Sequence, residues 1–219
     1  MKLTYICTAL IMALSCQESP QKSSEPTIDM PAVQATLTQE GLTKAYFASG
    51  CFWCVEAIFE SVKGVDEVIS GYSGGTEDNP TYKEVSYGRS SHAEAVEVIY
   101  DPEVISFSQL VDVFFGSQDP TTRNRQGPDR GRQYRSIAFY QNDSEKKIIQ
   151  NTIDRLNKNV YDGEIVTQVL PFQKFWVAET YHQDYERLNP GNPYIQNVSI
   201  PRYNRFKAKF PELLKEDAH

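Results

Sequence analysis

Between Thr43 and Tyr140 the spacing of apolar residues changes period in the order strand, helix, strand, strand, helix, strand. No other feature constrains the fold as much, because this is the split βαβ, ferredoxin-like order. Thr43 to Ala48 is short, apolar and aromatic, and reads as a strand. Val55, Ile58, Phe59 and Val62 recur at helical spacing over Cys51–Val62, and Gly64 supplies a closing cap. Val65 to Tyr72 reads as a strand ended by the turn Ser73-Gly74-Gly75, and Ala93 to Tyr100 as another, stopped by Asp101-Pro102. Ser106 with Gln109 forms a capping box that opens a second helix, whose apolar face is Leu110, Val113 and Phe114. Tyr134 to Tyr140 is strand-like, Ser144 to Asn159 a helix, and Glu164 to Leu170 a last strand. The expected class is α+β: a two-layer sandwich with a mixed sheet and a ferredoxin-like core. It carries long loops at Gly74–His92 and Gln118–Gln133, where function tends to reside. From Pro171 onward the chain reads as mixed coil with a short helix near Glu179–Leu188.

This core accounts for one domain, expected over residues 42–210, with a tail at 211–219. The 40% hydrophobic content suffices to build it and argues against disorder. A net charge of −7 without a basic block excludes nucleic acid as a natural partner. Ahead of the domain, Lys2 is followed by an apolar run from Leu3 to Leu14, then Ser15 and Cys16. That run is too short for a comfortable membrane span and has the length of a signal-peptide core. A small residue directly before a cysteine resembles the bacterial lipoprotein signal, although Leu14 sits one place later than is usual. Residues 1–15 are therefore expected to be a signal peptide. Residues 16–41, rich in Ser, Pro, Gln, Thr and Glu, are expected to be a tether beginning at a lipidated Cys16. The expected location is the bacterial cell envelope, with the membrane as a partner through the anchor. The alternative is plain secretion with Cys16 as a bystander.

Cysteine placement carries the chemistry. Cys7 and Cys16 lie in the leader, and Cys51 and Cys54 form the only pair in the domain. A disulfide-framed scaffold would spread its cysteines, so this pair is chemical rather than structural. Gly50-Cys51-Phe52-Trp53-Cys54 lies between a strand and a helix. Cys51 then sits at a helix N-terminus, where unpaired N–H groups and the helix dipole favour a thiolate and a lowered pKa. Cys54, three residues on, lies within disulfide reach. Phe52 and Trp53 offer an apolar pocket for a small alkyl group, or are ordinary core residues. A zinc site would need two more ligands, and only three histidines remain to supply them. A thioredoxin-like redox pair also uses C-x-x-C at a helix start, but here the intervening residues are bulky and the element order matches poorly.

Gly50-Cys51-Phe52-Trp53 with Glu56 resembles the signature of the A-type peptide methionine-sulfoxide reductases, and further blocks follow in order. These are Gly71-Tyr72-Ser73-Gly74-Gly75, Asn79-Pro80-Thr81-Tyr82, His92-Ala93-Glu94-Ala95-Val96 and Tyr100-Asp101-Pro102. Then come Asp119-Pro120-Thr121-Thr122, Gln126-Gly127, Asp129, Gly131 and Gln133-Tyr134-Arg135-Ser136. Ala178-Glu179, His182-Gln183 and Asn189-Pro190 close the series. The resemblance implies Cys51 as the nucleophile on the sulfoxide sulfur and Glu94 as the acid that protonates its oxygen. It implies Tyr82 and Tyr134 as donors to that oxygen, and Asp129 as the residue that binds the polar side of the substrate or orders the site. Phe52 and Trp53 would hold the sulfur-bound methyl, and Cys54 would be the resolving thiol. Taken singly, Glu94 is equally a solvent-facing strand residue, the tyrosines ordinary ones and Asp129 a turn residue.

The implied reaction is reduction of the S epimer of methionine sulfoxide, in proteins or free, through a sulfenic acid on Cys51 and a Cys51–Cys54 disulfide. No metal or organic cofactor is implied. An external dithiol donor of the thioredoxin kind is needed as partner, and a monomer is expected. Ser91 stands where many relatives have Gly, and Gln118 where many have His. The chain also lacks the C-terminal recycling cysteines of many relatives, so a relay through a third cysteine is in doubt. The competing reading is a general thiol–disulfide oxidoreductase, which would use the pair without needing Glu94.

Overall fold

The computed structural model describes residues 41–216. The expected signal peptide, Cys16 and the tether up to residue 40 lie outside the described residues.

Four strands carry the core: β1 (Thr43–Ser49), β2 (Val65–Ser73), β3 (Ala93–Tyr100) and β6 (Ser136–Tyr140). They lie in the order β6-β1-β3-β2, and every neighbouring pair is antiparallel. This is the split βαβ arrangement that the apolar periods imply. Two short strands extend the sheet to six: β7 (Gln168–Pro171) parallel to β6, and β8 (Trp176–Val177) antiparallel to β2. The sheet is therefore mixed.

Alternation along the strands sends each face to a different core. Ala45, Phe47, Val96 and Val98 join the cluster under helices α1 (Phe52–Glu60) and α3 (Phe107–Gly116), with Val55, Ile58, Phe59, Leu110 and Phe114. Phe47 lies between Phe59 and Phe114, its ring centroid 5.2 and 5.1 Å from theirs. The opposite face, with Tyr46, Ala48, Ala95, Ile137 and Phe139, is covered by Phe172 and Phe175 of the returning chain. Helix α3 begins with the expected capping box, in which Ser106 and Gln109 satisfy each other's backbone N–H groups. Helix α4 (Asp143–Leu156), capped by Asn142, contributes Ile149 and Ile153 to the core.

Both long loops contain structure of their own. The first holds the five-residue helix α2 (Tyr82–Ser86), and the second a two-stranded hairpin of β4 (Arg125–Gln126) and β5 (Asp129–Arg130). The C-terminal part carries α5 (Tyr185–Leu188), close to the expected short helix, and also a ten-residue helix α6 (Ile200–Lys209). Domain packing continues past Phe210. Leu214 is buried and bridges to Val62, and the Lys215 N–H donates to Ser61 O. An apolar side chain four residues into the expected tail closes the end of α1, so chain packing extends through Leu214.

Candidate active site

Antiparallel pairing decides which residues can meet. The end of β1 lies beside the start of β3, and Ser49 pairs with Ser136 at the start of β6. Tyr72, near the end of β2, pairs with both Glu94 and Trp176. One end of the sheet thus gathers Cys51 after β1, Glu94 in β3, Tyr134 before β6 and the segment after β8. Gly50 makes the turn out of β1 with φ +86°, and a Cβ there would lie 2.6 Å from Gln126 Cβ. Only glycine meets both demands without strain.

Cys51 is the residue that precedes α1, and both it and Cys54 are free thiols buried in the protein. The expected lowering of the Cys51 pKa is not what the surroundings produce. Burial pushes the Cys51 thiol up, and its hydrogen bond with Cys54 and the charge on Cys54 push the same way, joined by Glu94 once that carboxyl ionises. The hydrogen bond with Cys51 brings Cys54 down against the effect of burial, helped by the Arg202 guanidinium. The two thiols therefore move apart: Cys51 holds its proton the longer, and Cys54 is the first of the pair to ionise. A helix N-terminus favours an anion, but full burial beside a carboxyl and a second sulfur outweighs it.

Glu94 points toward the helices from β3, and its Oε2 accepts the Phe52 N–H at 3.1 Å. Only 2% of the residue is exposed, and burial lifts the carboxyl to about 8 against that single hydrogen bond. It is a carboxylic acid at neutral pH, not a solvent-facing strand residue. Tyr82 opens α2, anchored by its backbone N–H to Glu179 Oε1 at 2.9 Å. Burial and then Glu94 raise its phenol to about 12. Tyr134, in the 3-10 turn Arg132–Tyr134, is raised by burial, Glu94 and Cys51 in that order. Both phenols hold their protons and face the same carboxyl and thiol. Asp129, on the hairpin, accepts the Tyr194 O–H at 2.6 Å, and the Tyr194 oxygen lies 3.9 Å from Cys54 Sγ. Burial raises the Asp129 carboxyl, partly offset by that bond. The sequence-expected residues Cys51, Cys54, Glu94, Tyr82, Tyr134 and Asp129 are thus brought together.

Phe52 and Trp53 belong to an aromatic wall. Phe52 is buried against Tyr72, Tyr82 and His182, with centroids 5.9, 6.3 and 5.0 Å away. Trp53 is half-buried and stacks on Tyr185 at 3.8 Å. Its indole N–H donates to His182 Nδ1 at 3.2 Å. Indole is a donor only, so the proton of neutral His182 is on Nε2. Burial lowers the His182 pKa and keeps the ring neutral.

Sequence reasoning assigned no role to His182, Glu179, Tyr194 or Arg202. His182 and Glu179 were visible as members of a matched block. Glu179 clamps Tyr72 OH at 2.8 Å and the Tyr82 N–H, tying β2 to α2. Tyr194 and Arg202 had no local signal, because both reach the pair from a C-terminal segment more than 130 residues away in sequence. Among the described residues no group of three or more His, Cys, Asp or Glu side chains is placed to hold a metal ion.

A family model described as peptide methionine sulfoxide reductase matches residues 43–214. The chain is 48% identical over 172 residues to "Peptide methionine sulfoxide reductase MsrA" of Pasteurella multocida, covering 78% of this chain and 98% of that protein. It is 47% identical to "Peptide methionine sulfoxide reductase MsrA 1" of Rhodopirellula baltica, covering 81% and 92%. The fold is similar to methionine sulfoxide reductase A of Corynebacterium diphtheriae, with a TM-score of 0.63, 33% identity and coverage of 77% and 86%. It is also similar to reduced Mxr1 of Saccharomyces cerevisiae, with a TM-score of 0.67, 32% identity and coverage of 72% and 91%.

Proposed function

Because this chain belongs to the peptide methionine sulfoxide reductase family, as an enzyme of the MsrA type, we propose that it reduces the S epimer of methionine sulfoxide by a two-cysteine route through Cys51 and Cys54. The single observation that supports this most is Glu94. A carboxyl with its proton held to about pH 8 lies one hydrogen bond from the start of the helix that carries both sulfurs. A sulfoxide oxygen departs from sulfur only once protonated, and a neutral carboxylic acid in a dry site is the group that can do it.

In this reading the methyl group of the substrate lies against Phe52 and Trp53, and its oxygen is held by the phenols of Tyr82 and Tyr134. Cys51 Sγ attacks the sulfoxide sulfur while its own proton moves to the Cys54 thiolate. Glu94 gives its proton to the oxygen. The protonated oxygen then moves to Cys51 Sγ as the sulfoxide S–O bond and the bond between the two sulfurs break, so that methionine leaves and Cys51 carries a sulfenic acid. Cys54 then loses its proton and attacks Cys51 Sγ. The S–S bond forms, the S–O bond breaks, and the hydroxide takes up a proton and departs as water. Asp129 orders the site by fixing Tyr194 against Cys54. An external dithiol of the thioredoxin kind restores the thiols, with no resident cofactor. The reading includes protein-bound and free methionine sulfoxide as substrates. It also places the enzyme in the bacterial cell envelope, on the apolar run Leu3–Leu14 that ends at Ser15-Cys16.

The test is dithiol-dependent reduction of a methionine-sulfoxide peptide with the S and R epimers resolved. Turnover of S alone, lost in Cys51→Ser, is the expected result. A folded, reduced protein that turns over neither epimer would instead favour a general thiol–disulfide oxidoreductase, and a Glu94→Gln variant that keeps full activity would remove Glu94 as the acid.

A further inference from the structure

We propose that Arg202 is the positioning residue for the resolving step: its buried guanidinium holds Cys54 as the attacking thiolate when Cys51 carries the sulfenic acid. The proposal rests on the two-cysteine reading above and assigns the charge that drives its second half.

Arg202 enters from α6, with 7% of its surface exposed. Its Nε–H donates to Ser117 O at 2.8 Å, Nη1–H to Ser49 O at 2.9 Å and Nη2–H to Ser49 Oγ at 3.1 Å. All three acceptors are neutral. Among the described residues no carboxylate lies within ion-pairing distance of it. A buried guanidinium without a counter-ion is costly unless a negative charge develops nearby. The place where it would act is defined: Ser49 is two residues before Cys51, and a Cβ on Gly50 would lie 3.5 Å from Nη1. The charge thus sits under the turn that leads into the cysteine pair.

Among the described residues, Arg202 is the one cation among the principal groups that act on Cys54. Cys51 faces it from the start of α1, Glu94 from β3, and Tyr194 and Ser199 from the turn before α6. Asp129 acts from β5 through Tyr194, and Glu186 bonds Ser199. Each of these is neutral or an anion when charged. Among these described groups Arg202 is the fixed positive one, and the Cys54 thiol, the Asp129 carboxyl and the Glu186 carboxyl all feel it. Of the three, only Cys54 has to ionise in the reaction, in order to displace hydroxide from Cys51. Cys54 is the acid whose ionisation the guanidinium is free to assist. After methionine leaves, Cys54 is a thiol, because it took the Cys51 proton in the first step. It must ionise again before it can displace hydroxide from Cys51, and a thiol is a poor nucleophile until it does.

The experiment is a single turnover of the full, pre-reduced chain with a methionine-sulfoxide peptide and no external dithiol. Methionine release, sulfenic acid trapped by a 1,3-dione, and loss of free thiols are followed separately across pH. Arg202→Gln, which removes the charge and keeps hydrogen-bonding capacity, is expected to slow disulfide formation more than methionine release, because before the reaction the Cys51 thiol also supports the Cys54 thiolate by its hydrogen bond, and after Cys51 is oxidised that donor is gone. At pH 7 the disulfide step should fall by ~10-fold, the effect of one unit of thiol pKa, and should recover as pH rises. Sulfenic acid should accumulate in that variant. Arg202→Lys, which restores charge, should recover most of the rate at pH 7, and carries the test should the Gln variant not fold. Equal slowing of both steps with an unmoved pH profile would overturn the proposal and leave Arg202 a structural residue. So would an Arg202→Lys variant as slow as Arg202→Gln. An unmodified chain that releases no methionine would instead remove the reading on which the proposal stands.

Discussion

At the scale of single residues, the site separates groups by environment rather than by type. Glu94 and Glu77 show it. The first is buried and raised to about 8, while the second, at the surface, is brought down to about 2 by its Ser91 and Ser90 partners, despite some burial. Only the first can serve as an acid at neutral pH. Glu94→Gln keeps the shape and removes the transferable proton, so methionine release in a single turnover should fall by ~10²–10⁴-fold, the range of general acid catalysis. In the unaltered enzyme the same step should decline as pH rises through about 8, because the acid is lost there. A quenched-flow pH profile of methionine release checks both, and a Gln variant that releases methionine at the original rate would sink the role of Glu94. Gly50 makes a different demand. With φ +86° and a Cβ position 2.6 Å from Gln126, Gly50→Ala should destabilise the fold by at least ~1 kcal/mol, the cost of a left-handed residue that bears a Cβ. A thermal or urea melt of the reduced protein reads this directly. Of these features, the cysteine pair and Gly50 were legible from local sequence. Glu94 was legible only through the ordered blocks, since alternation along a strand does not say which face is dry. The raised Cys51 thiol was not legible at all, because burial by Glu94 and the C-terminal segment is a property of the assembled site.

At the scale of elements, the smallest helix carries one of the most consequential side chains. Helix α2 has five residues, too short to persist on its own. It is held by the reciprocal capping box of Thr81 and Glu84 and by the Glu179 bond to the Tyr82 N–H. Thr81→Ala should remove about 0.5–2 kcal/mol of local stability. It should release Tyr82 from its place beside Phe52 and His182 while barely moving the global melt. Reductase activity is therefore expected to fall several-fold with an unchanged melting temperature, measured by steady-state turnover beside calorimetry. A drop in melting temperature matching the loss of activity would count against this local role. The long elements were readable because each presents several apolar residues at one period, as Val55, Ile58, Phe59 and Val62 do in α1. Helix α2 and strand β8 are too short to show a period. Helix α6 was hidden for another reason. Pro201 looks like a break, yet the helical chain runs through it, because the π-turn Ile195–Ser199 leads directly into α6 and Pro201 stands at its start. Its buried face is Arg202, Tyr203 and Phe206, only two of them apolar, so the stripe is faint.

At the scale of the whole molecule, a reactive site built from buried acids sets how stability varies with pH. Glu94 and Glu56 are raised to about 8 and Glu60 to about 7, each chiefly by burial. A carboxyl whose pKa is higher folded than unfolded binds more protons in the native state between those two values. Its favourable contribution is complete below about 4.5 and is lost as pH rises toward 8. His182 opposes this near its own range, since its pKa is lowered on folding and its contribution grows as pH rises. One histidine does not outweigh three buried carboxyls. On the acid side, Glu77 is lowered to about 2, and what it contributes disappears as pH falls from about 4.5 to 2. Stability of the reduced protein should therefore peak near pH 5 and decline toward pH 8. The same burial that keeps Glu94 protonated for catalysis makes the fold less stable at the alkaline end. Denaturant midpoints between pH 4 and 8.5, taken with thiols kept reduced, measure the curve. Glu56→Gln isolates its source, because Glu56 lies in α1 behind the reacting groups and accepts the Asp184 N–H at 3.2 Å. That variant should lose less stability between pH 5 and 8 than the unaltered chain, and an identical slope would show that Glu56 ionises as freely in the folded protein as in the unfolded one.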